Sequence, residues 1–457
     1  MNELQVRIPS GISQSLLREI RREAHRESVV FAFASHARTS SRDLILVREI
    51  VVPPESAFLP PRGHGARWSG AYMVGLLNRA LETNLGLFIF HAHDGDDVRM
   101  SSDDLRSAHD LLPRFQSIVP NRPHGSIVFG NYSVDGMVQM PYARNTTDRL
   151  TVRLLERNSV RTFPLPNIGE DRQLLLRQPL TVSALLRTIL RRLVVAVVGA
   201  SGGGSQVIPQ LAALGVGEII CIDDQRADQS NRLASPNLGW IDAALGLSKV
   251  TAAKYRAWLV NREVRISAIR ARIPEQKALD ALKRADLVIG CVNNLHARAD
   301  INEVAWRYCI PYIDVGLRMV TDSSPAAQEP RPVVQYPGNL CVSIPGEPCL
   351  WCSGFLSDTR LLQESNGQGR SYLQDPGGSD VFVTCFNGTL ASEAVAEALR
   401  LVTGLDCRRE FRRQYDGFEG SLLQMSVAKD EACRLCSSGL ATGDPNWARL
   451  DPEPSIP

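Results

Sequence analysis

Residues 193–205 read LVVAVVGASGGGS, an apolar and mostly β-branched run that leads directly into a glycine-rich turn. An apolar run of this length fits a buried strand, and the glycines permit a tight turn in front of a helix. Such a turn brings backbone N–H groups and the N-terminus of the helix close to phosphate groups. The stretch therefore predicts a strand at 193–198, a phosphate-binding turn and a helix at 205–214.

Strand-like and helix-like patterns continue to alternate after this turn. The further predicted strands are 218–222, 287–292 and 311–315, and the further predicted helix is 249–260. Strands that alternate with helices form a mainly parallel, doubly wound sheet. The second part of the chain is therefore predicted to have a doubly wound α/β fold.

The N-terminal part has an α+β pattern instead, with alternating apolar residues and one helical spacing. The predicted strands are 29–34, 44–52, 85–90 and 126–129, and the predicted helix is 70–82. A polar, proline-bearing segment at 161–171 (RTFPLPNIGED) predicts a linker. We therefore predict two domains, 1–165 and 166–457.

The composition excludes some classes of protein. The chain has 457 residues, of which 44% are hydrophobic, and a formal net charge of +2. This charge is too small to favour nucleic acid or a membrane surface as partner. No apolar stretch approaches the ~18–20 residues of a membrane helix, and the N-terminus lacks a signal pattern. We expect a cytoplasmic protein whose ten cysteines are metal ligands, nucleophiles or core residues rather than disulfides.

Two histidines, His91 and His93, follow the predicted strand 85–90 and point to the same side because strand side chains alternate. Asp104 lies eleven residues after His93, with Ser101 three residues before it. Two imidazoles and one carboxylate can hold zinc with a fourth position open for water, whose pKa falls to about 7. The alternative for an isolated HxH is a polar strand end.

This spacing, HxH followed by SxxD, resembles the JAMM (JAB/MPN) zinc isopeptidases. The resemblance implies a JAB/MPN-like domain in which His91, His93 and Asp104 bind a catalytic Zn²⁺. It also implies that Glu27, just before the first of the predicted strands, is the general base and that Ser101 supports the transition state.

The glycine-rich turn is not the dinucleotide motif GxGxxG, because Ser201 occupies the place of the second glycine. Asp223 and Asp224 end the next predicted strand, where a carboxylate can hold ribose hydroxyls. On these features alone a dehydrogenase remains an alternative.

Further motifs follow at the expected places of another family. They are Asn231-Arg232, a helix start at Gly246-Leu-Ser-Lys249, the strand end Cys291-Val-Asn293-Asn294 with Arg298 behind it, and Arg172-Gln173 before the first strand. The set resembles the ThiF/MoeB/ubiquitin-activating superfamily over residues 170–440. The resemblance implies a Rossmann-like domain that uses ATP and Mg²⁺ to adenylate the C-terminal carboxylate of a small ubiquitin-like protein.

The same resemblance implies roles for individual residues. Phosphates and ribose would be bound by Gly199, Gly202, Gly204, Asn231, Arg232, Lys249 and either Asp223 or Asp224. Arg172 would reach a neighbouring active site, which implies a homodimer. The magnesium-binding aspartate of the family corresponds to Asn293, and a neutral amide is a poorer Mg²⁺ ligand than a carboxylate.

Two CxxC pairs, Cys349-Leu-Trp-Cys352 and Cys433-Arg-Leu-Cys436, are separated by about eighty residues. Four thiolates make a closed, structural zinc site, and the activating enzymes carry such a split site. The alternative is a pair of reduced, buried dithiols. We assign no catalysis to these four cysteines.

Cys385 lies between the two pairs, after a polar, glycine-rich segment at 365–379 that predicts a mobile loop. It precedes a predicted helix at 389–401, and a helix N-terminus lowers the pKa of a nearby thiol. Cys385 is therefore a candidate nucleophile for a thioester, or else a small core residue.

Three functions remain open. The first is a bacterial bifunctional enzyme, in which a peptidase trims or removes a ubiquitin-like modifier and an activating domain adenylates it for a conjugating enzyme. The second is activation of a sulfur-carrier protein. The third is a scaffold in which one half has lost its activity, and Asn293 makes the C-terminal half the candidate.

Overall fold

A computed structural model describes most of the chain. The described residues are 3–22, 28–60, 66–146, 150–164, 184–229, 235–236, 238–318, 320–321, 332–366, 383–404 and 410–444. They form two compact units, one of Met1–Leu165, Arg307–Cys309 and the segment from Ser438, the other of Pro166–Trp306 and Ile310–Ser437. The domain boundary at 165/166 stays a prediction. No helix among the described residues has the length and apolar content that a bilayer span requires.

The first unit is built on a mixed sheet with helices on both faces. Its elements are β1 (Glu3–Ile8), α1 (Ile12–Ile20), β2 (Val29–Arg38), β3 (Arg42–Val51), α2 (Gly70–Thr83), β4 (Gly86–Ala92), α3 (Ser102–Ile118), β5 (His124–Phe129), β6 (Val134–Met140), β7 (Ala143–Thr146), β8 (Leu150–Leu155) and β9 (Val160–Phe163). The strand order is β7-β6-β5-β4-β2-β3-β1-β8-β9. β1 pairs in parallel with β3 and β8, and β4 with β5.

Strand β2 shows why this sheet is covered on both faces. Its successive side chains point to opposite sides. Val30, Ala32 and Ala34 pack in the cluster that contains the α1 residues Leu16 and Ile20. The intervening residues, which include Phe31 and Phe33, pack in a second cluster with α2 and α3. A strand that is apolar on both sides is a central strand, and β2 lies between β4 and β3 in the sheet.

The second unit contains the doubly wound sheet. Its elements are α4 (Ala184–Arg192), β10 (Val194–Val198), α5 (Gly202–Leu214), β11 (Glu218–Ile222), α6 (Trp240–Ala244), α7 (Lys249–Val260), β12 (Arg265–Ile269), α8 (Gln276–Lys283), β13 (Leu287–Gly290), α9 (Leu295–Arg307), β14 (Tyr312–Leu317), β15 (Val320–Thr321), β16 (Val333–Gln335), β17 (Pro337–Ser343), α10 (Asp358–Ser365), α11 (Thr384–Thr403), β18 (Arg412–Asp416), β19 (Ser421–Met425) and α12 (Arg434–Ser438). The main sheet has the order β12-β11-β10-β13-β14-β17-β18-β19.

The parallel part of this sheet confirms the predicted α/β fold. β12, β11, β10, β13 and β14 pair in parallel. The sheet also has an antiparallel extension that was not predicted, in which β17 pairs with β14 and is followed by β18 and β19. The outer strand β19 is exposed at four of its five positions, so its residues lack the apolar alternation that marks a half-buried strand.

Several predicted boundaries need correction. Helix α5 begins at Gly202 rather than at 205, because the glycines form its first turn. β13 ends at Gly290 rather than at 292. α11 begins at Thr384 rather than at 389 and therefore includes Cys385. Most of the predicted mobile loop, 367–379, lies outside the described residues.

The turn between β10 and α5 requires glycine at position 204. A Cβ atom on Gly204 would lie 1.8 Å from the Gly199 carbonyl oxygen, whereas one on Gly203 would lie 3.4 Å from the Cys291 Sγ, an ordinary contact. We expect Gly204→Ala to lower the free energy of unfolding by roughly 1–3 kcal/mol through overpacking. Gly203→Ala, the matched control, should leave it unchanged or raise it by up to about 1 kcal/mol, because alanine favours a helix.

Urea denaturation of the two variants and the native protein measures these changes. Equal stability of the two variants would contradict the importance of the Gly199–Gly204 contact.

Candidate functional site

A cavity of about 230 Å³ lies at the carboxyl ends of the parallel strands of the second unit. Ligands of open α/β sheets bind at this edge, outside the strand ends. The cavity collects predicted residues from segments that are distant in the chain. They are Gly199 and Gly202 of the glycine-rich turn, Asp223 and Asp224 after β11, Lys249 at the start of α7, and Asn293 after β13.

The glycine-rich turn forms one wall of the cavity. Gly199 has φ +94°, and a Cβ atom there would lie 2.6 Å from the carbonyl oxygen of Cys291. The backbone of the turn therefore packs directly against the residue that follows β13. Gly204 does not line the cavity, since it lies buried behind the turn. Its role is to let α5 approach β10, not to contact a ligand.

Ser201 was treated in the sequence only as an interruption of a glycine motif, but it lines the cavity. It is the N-cap residue of α5, and its side chain makes no capping hydrogen bond. Its Oγ is buried and has no hydrogen-bond partner among the described residues. A hydroxyl in this position can donate to an anionic ligand at the helix N-terminus.

The two acidic residues after β11 have different surroundings. The Asp223 carboxylate accepts hydrogen bonds from the backbone N–H groups of Ala200 and Gln225, each at 2.8 Å. Burial raises the pKa of Asp223 above its ordinary value, while the two backbone donors and Lys249 act in the opposite direction. Asp224 is exposed. Asp223 is thus held in one orientation, with two of its four lone-pair directions used.

Lys249 is 2% exposed although it carries a charge. Its Nζ donates to Gln225 Oε1 at 2.5 Å, and its own N–H donates to the Gln225 carbonyl oxygen at 3.0 Å. The helix that it begins is capped by Ser248, whose Oγ accepts from the N–H of Thr251. Gln225 therefore holds Lys249 at the cavity wall close to Asp223.

The segment after β13 presents Asn293, which is exposed at the cavity. Asn294 caps α9 by accepting from the N–H of Ala297 at 2.7 Å. Arg298 lines the cavity, but its guanidinium is 1% exposed and pairs with the fully buried Asp314. Arg298 also donates to the carbonyl oxygen of Val292 at 2.5 Å. Its main role is to connect the ends of β13 and β14.

The four cysteines of the CxxC pairs come together in the second unit. Their Sγ atoms all lie within 4.8 Å of one another. The distances are 3.6 Å for Cys349–Cys433 and 3.5 Å for Cys352–Cys436. Four sulfurs about 2.3 Å from one zinc would lie about 3.8 Å apart, so this donor set fits a tetrahedral Zn²⁺ site. Such a site would join the loop after β17 to α12.

The predicted histidines and aspartate come together in the first unit. The His91 Nε2 lies 3.3 Å from Asp104 Oδ1, and the His93 Nε2 lies 3.4 Å from Asp104 Oδ2. One ligand atom from each of the three residues lies within 4.8 Å of the others. His91 lies within β4, which extends to Ala92, and His93 follows the strand. The three donors are of the types that bind zinc.

Ser101 and Asp104 form a capping box at the start of α3. Ser101 Oγ accepts from the N–H of Asp104 at 3.1 Å, and Asp104 Oδ2 accepts from the N–H of Ser101 at 2.7 Å. Burial by itself would raise the pKa of Asp104, but hydrogen bonds with His91 and Ser101 hold this pKa well below its usual range. The helix cap therefore fixes the carboxylate that faces the two imidazoles.

Four predicted site residues lie outside the described residues. They are Glu27, Arg172, Asn231 and Arg232. β2 begins at Val29, which pairs with His91. Cys385 is described, and it is exposed in the first turn of α11 rather than before the helix.

Sequence reasoning missed Asn387, which lines the cavity from α11. A single asparagine in a helical pattern carries no motif, and α11 lies far along the chain from the other cavity residues. Its position at the cavity follows from tertiary packing alone.

Comparison with known proteins gives a consistent result for the second part of the chain. The model of the ThiF family matches residues 171–435. The sulfur carrier protein adenylyltransferase of Thermus thermophilus is 32% identical over 254 residues, which are 54% of this chain and 83% of that protein. The sulfur carrier protein ThiS adenylyltransferase of Escherichia coli is 22% identical over 251 residues, 55% of this chain and 88% of that protein.

Two further comparisons concern an archaeal protein and a solved structure. The SAMP-activating enzyme E1 of Haloferax volcanii is 24% identical over 249 residues, 54% of this chain and 80% of that protein. A crystal structure of E. coli MccB with ATP has a TM-score of 0.45 and 16% identity, and the match covers 89% of this chain and 99% of that one.

The two donor clusters predict two zinc ions per chain. We expect elemental mass spectrometry of the native protein to find about two, and His91→Ala and Cys349→Ser to lose one each, because each removes one ligand from a different cluster. The controls are His109→Ala and Cys385→Ser, which change an exposed histidine and an exposed cysteine outside the clusters. A single zinc that survives His91→Ala but not Cys349→Ser would exclude a metal site in the first unit.

Proposed function

The chain belongs to the ThiF family, and from this membership we propose that it uses ATP to adenylate the C-terminal carboxylate of a small carrier protein. The observation that carries the proposal is the cavity at the strand ends, where the glycine-rich turn, Asp223 and Lys249 meet. An adenylating enzyme needs a phosphate-binding turn, a ribose ligand and a cation, and the cavity walls contain all three.

In the proposed reaction, one oxygen of the carrier carboxylate attacks the α-phosphorus of ATP. The bond from this phosphorus to the pyrophosphate oxygen breaks, and pyrophosphate leaves with the electron pair. Lys249 stabilises the negative charge that develops on the phosphates. The family resemblance implies the same role for Arg232. The phosphates bind at the N-terminus of α5, to Ser201 and to the turn at Gly199–Gly202–Gly203. Asn231 is proposed to bind the phosphates as well.

We assign the ribose hydroxyls to Asp223 rather than to Asp224. Two backbone N–H groups orient the Asp223 carboxylate, so binding the ribose requires little further ordering. A bound Mg²⁺ would neutralise phosphate charge, and Asn293, at the place of the family's magnesium ligand, is the residue that would hold it. The proposed assembly is a homodimer in which Arg172 reaches the neighbouring cavity.

A sulfur-carrier protein is the proposed substrate, with a ubiquitin-like modifier as the alternative. The names of the relatives from Thermus thermophilus and Escherichia coli support the first, and the name of the Haloferax volcanii relative is compatible with the second. In the first case hydrosulfide from a sulfur donor attacks the carbonyl carbon of the adenylate, AMP leaves with the electron pair, and a thiocarboxylate forms on the carrier. In the second, the Cys385 thiolate displaces AMP, and the thioester then passes to a conjugating enzyme. Mass spectrometry of the carrier and of Cys385 after reaction with ATP distinguishes the two products.

The adenylation proposal predicts how variants change carrier-dependent exchange of ATP with labelled pyrophosphate. We expect Asp223→Asn and Lys249→Ala to lower the exchange rate by roughly 10- to 100-fold, because each removes a charged hydrogen-bonding group worth ~1.5–3 kcal/mol. The matched control Asp224→Asn should lower the exchange rate less than Asp223→Asn does. ATP binding without any exchange, across a panel of sulfur-carrier and ubiquitin-like proteins, would instead favour a scaffold.

We also propose a zinc-dependent peptidase in the first unit, residues 1–165, because His91, His93 and Asp104 face one another within reach of one metal ion. Bound zinc would supply a water of lowered pKa. Glu27 is the proposed general base and Ser101 the proposed transition-state donor. The substrate is a peptide or isopeptide bond at the C-terminus of the same carrier, so that cleavage exposes the carboxylate that the second unit adenylates.

The peptidase proposal is tested with a carrier extended at its C-terminus by a short fluorogenic peptide. We expect His91→Ala and Glu27→Gln to abolish cleavage, since the first removes a zinc ligand and the second the base. Lys249→Ala, which changes the other unit, should cleave at the native rate. Cleavage that persists in His91→Ala with unchanged zinc content would refute the assignment.

A further inference from the structure

Asn387 is a buried amide at the cavity that the proposed reaction has not yet used. It lies in the first turns of α11, is 5% exposed, and lines the cavity. Its Nδ2 has no hydrogen-bond partner within the described part of the chain. The neighbouring Gly388 faces Gln206 of α5, so this end of α11 packs beside the helix that follows the glycine-rich turn.

A buried amide N–H₂ group without a partner destabilises a protein, and native proteins rarely keep one without a reason. The unpaired donor therefore indicates a ligand that supplies an acceptor. The χ2 torsion of asparagine rotates over a broad range, so a small rotation can turn this donor toward a ligand in the cavity.

Helix α11 packs against β14, and Leu390, one turn after Asn387, faces Gly338 together with Leu317 at the end of β14. Asn387 therefore lies at the β14 end of the cavity. Asp223 and Asp224 follow β11, and the segment 315–317 that ends β14 lies three strands away in the order β11-β10-β13-β14. Neighbouring strands are about 4.8 Å apart, so the two ends of the cavity are separated by about 14 Å. Ribose at β11 and phosphates at β10 leave the β14 end for the carrier C-terminus.

Charge leads to the same assignment. The cations Lys249 and Arg272 line the cavity on its β11–β12 side, together with Asp223 and Asp224. Among the described residues, Val315, Gly316, Leu317 and Asn387 line the β14 end without side-chain charge, and the charge of Arg298, which also lines this end, is paired with the buried Asp314. The Lys249 and Arg272 cations attract a pyrophosphate group, whereas a β14 end without net charge suits the uncharged backbone of a peptide tail.

From these observations, and resting on the proposed adenylation, we infer that Asn387 binds the acyl group of the substrate. While one carboxylate oxygen bonds to the α-phosphorus and pyrophosphate leaves, the other becomes the carbonyl oxygen of the acyl-adenylate. Asn387 Nδ2 donates a hydrogen bond to this second oxygen, and no proton is transferred. The amide thereby orients the attacking carboxylate and then holds the acyl-adenylate for the following nucleophile.

Isothermal titration calorimetry with three ligands tests this role without knowledge of the carrier. The ligands are ATP, 5′-O-sulfamoyladenosine, and 5′-O-(N-glycylsulfamoyl)adenosine, a stable acyl-adenylate mimic. We expect Asn387→Ala to weaken binding of the glycyl compound by about tenfold, the effect of one hydrogen bond, and to leave the other two unchanged. Ser201→Ala, at the phosphate end, should weaken ATP binding and should change the affinities for the two sulfamoyl compounds by equal factors.

Each other outcome has a distinct meaning. If native protein and Asn387→Ala bind the glycyl compound equally well, the inference fails but the proposed function does not. The same holds if Asn387→Ala also binds ATP more weakly, since Asn387 would then bind a phosphate. A native protein that binds none of the three ligands would overturn the proposed function, and the inference with it.

Thermal unfolding separates ligand binding from a structural role. Because the side-chain Nδ2 of Asn387 donates to no described residue, Asn387→Ala should keep the native melting temperature, and a marked decrease would show that the side-chain amide is structural. Asn387→Asp keeps the size and replaces the donor with a negative charge. This variant should weaken binding of the glycyl compound at least as much as Asn387→Ala does. Native affinity for the glycyl compound in Asn387→Asp would refute the donor role.

Discussion

The contact between the Gly199 carbonyl and the Cα of Gly204 is the constraint on which the second unit depends. No side chain fits between them, since a Cβ atom on Gly204 would lie 1.8 Å from that oxygen. The contact sets how closely α5 approaches β10, and Gly199 in turn packs on the backbone of Cys291 after β13. Because no side chain separates these backbones, the N-terminus of α5 and the end of β13 lie close together at the cavity.

Buried polar groups then hold the remaining walls. Asp223 accepts two backbone hydrogen bonds, and Gln225 fixes Lys249 beside it. Arg298 joins the ends of β13 and β14, because it pairs with Asp314 and donates to the carbonyl oxygen of Val292. A buried charge pair is costly to desolvate, so its value here lies in fixing two loops rather than in added stability. The cavity is therefore largely preformed, as catalysis by positioning requires.

Prediction from the sequence succeeded where a short segment contains the whole signal. The strand and turn at 193–205, the helix α7 and the strand β11 follow from local apolar patterns and glycines. The start of α11 was placed five residues too late, because TCFNG at 384–388 has weak helix propensity and its helical form depends on packing against α5. The antiparallel strands β17–β19 were missed for a similar reason, since pairing with β14 is a long-range contact.

The chemistry proposed for the sites could be predicted from the sequence itself, because zinc and phosphate ligands depend on residue type and on short spacings such as HxH, CxxC and the glycine-rich turn. The tertiary structure alone decided which distant segments share a site. It brought Cys349 and Cys352 to Cys433 and Cys436, and it placed Asn387 at the same cavity as Asp223. The physical reason is that a side chain's neighbours across the chain are set by the packing of buried surfaces, and no local pattern records that packing.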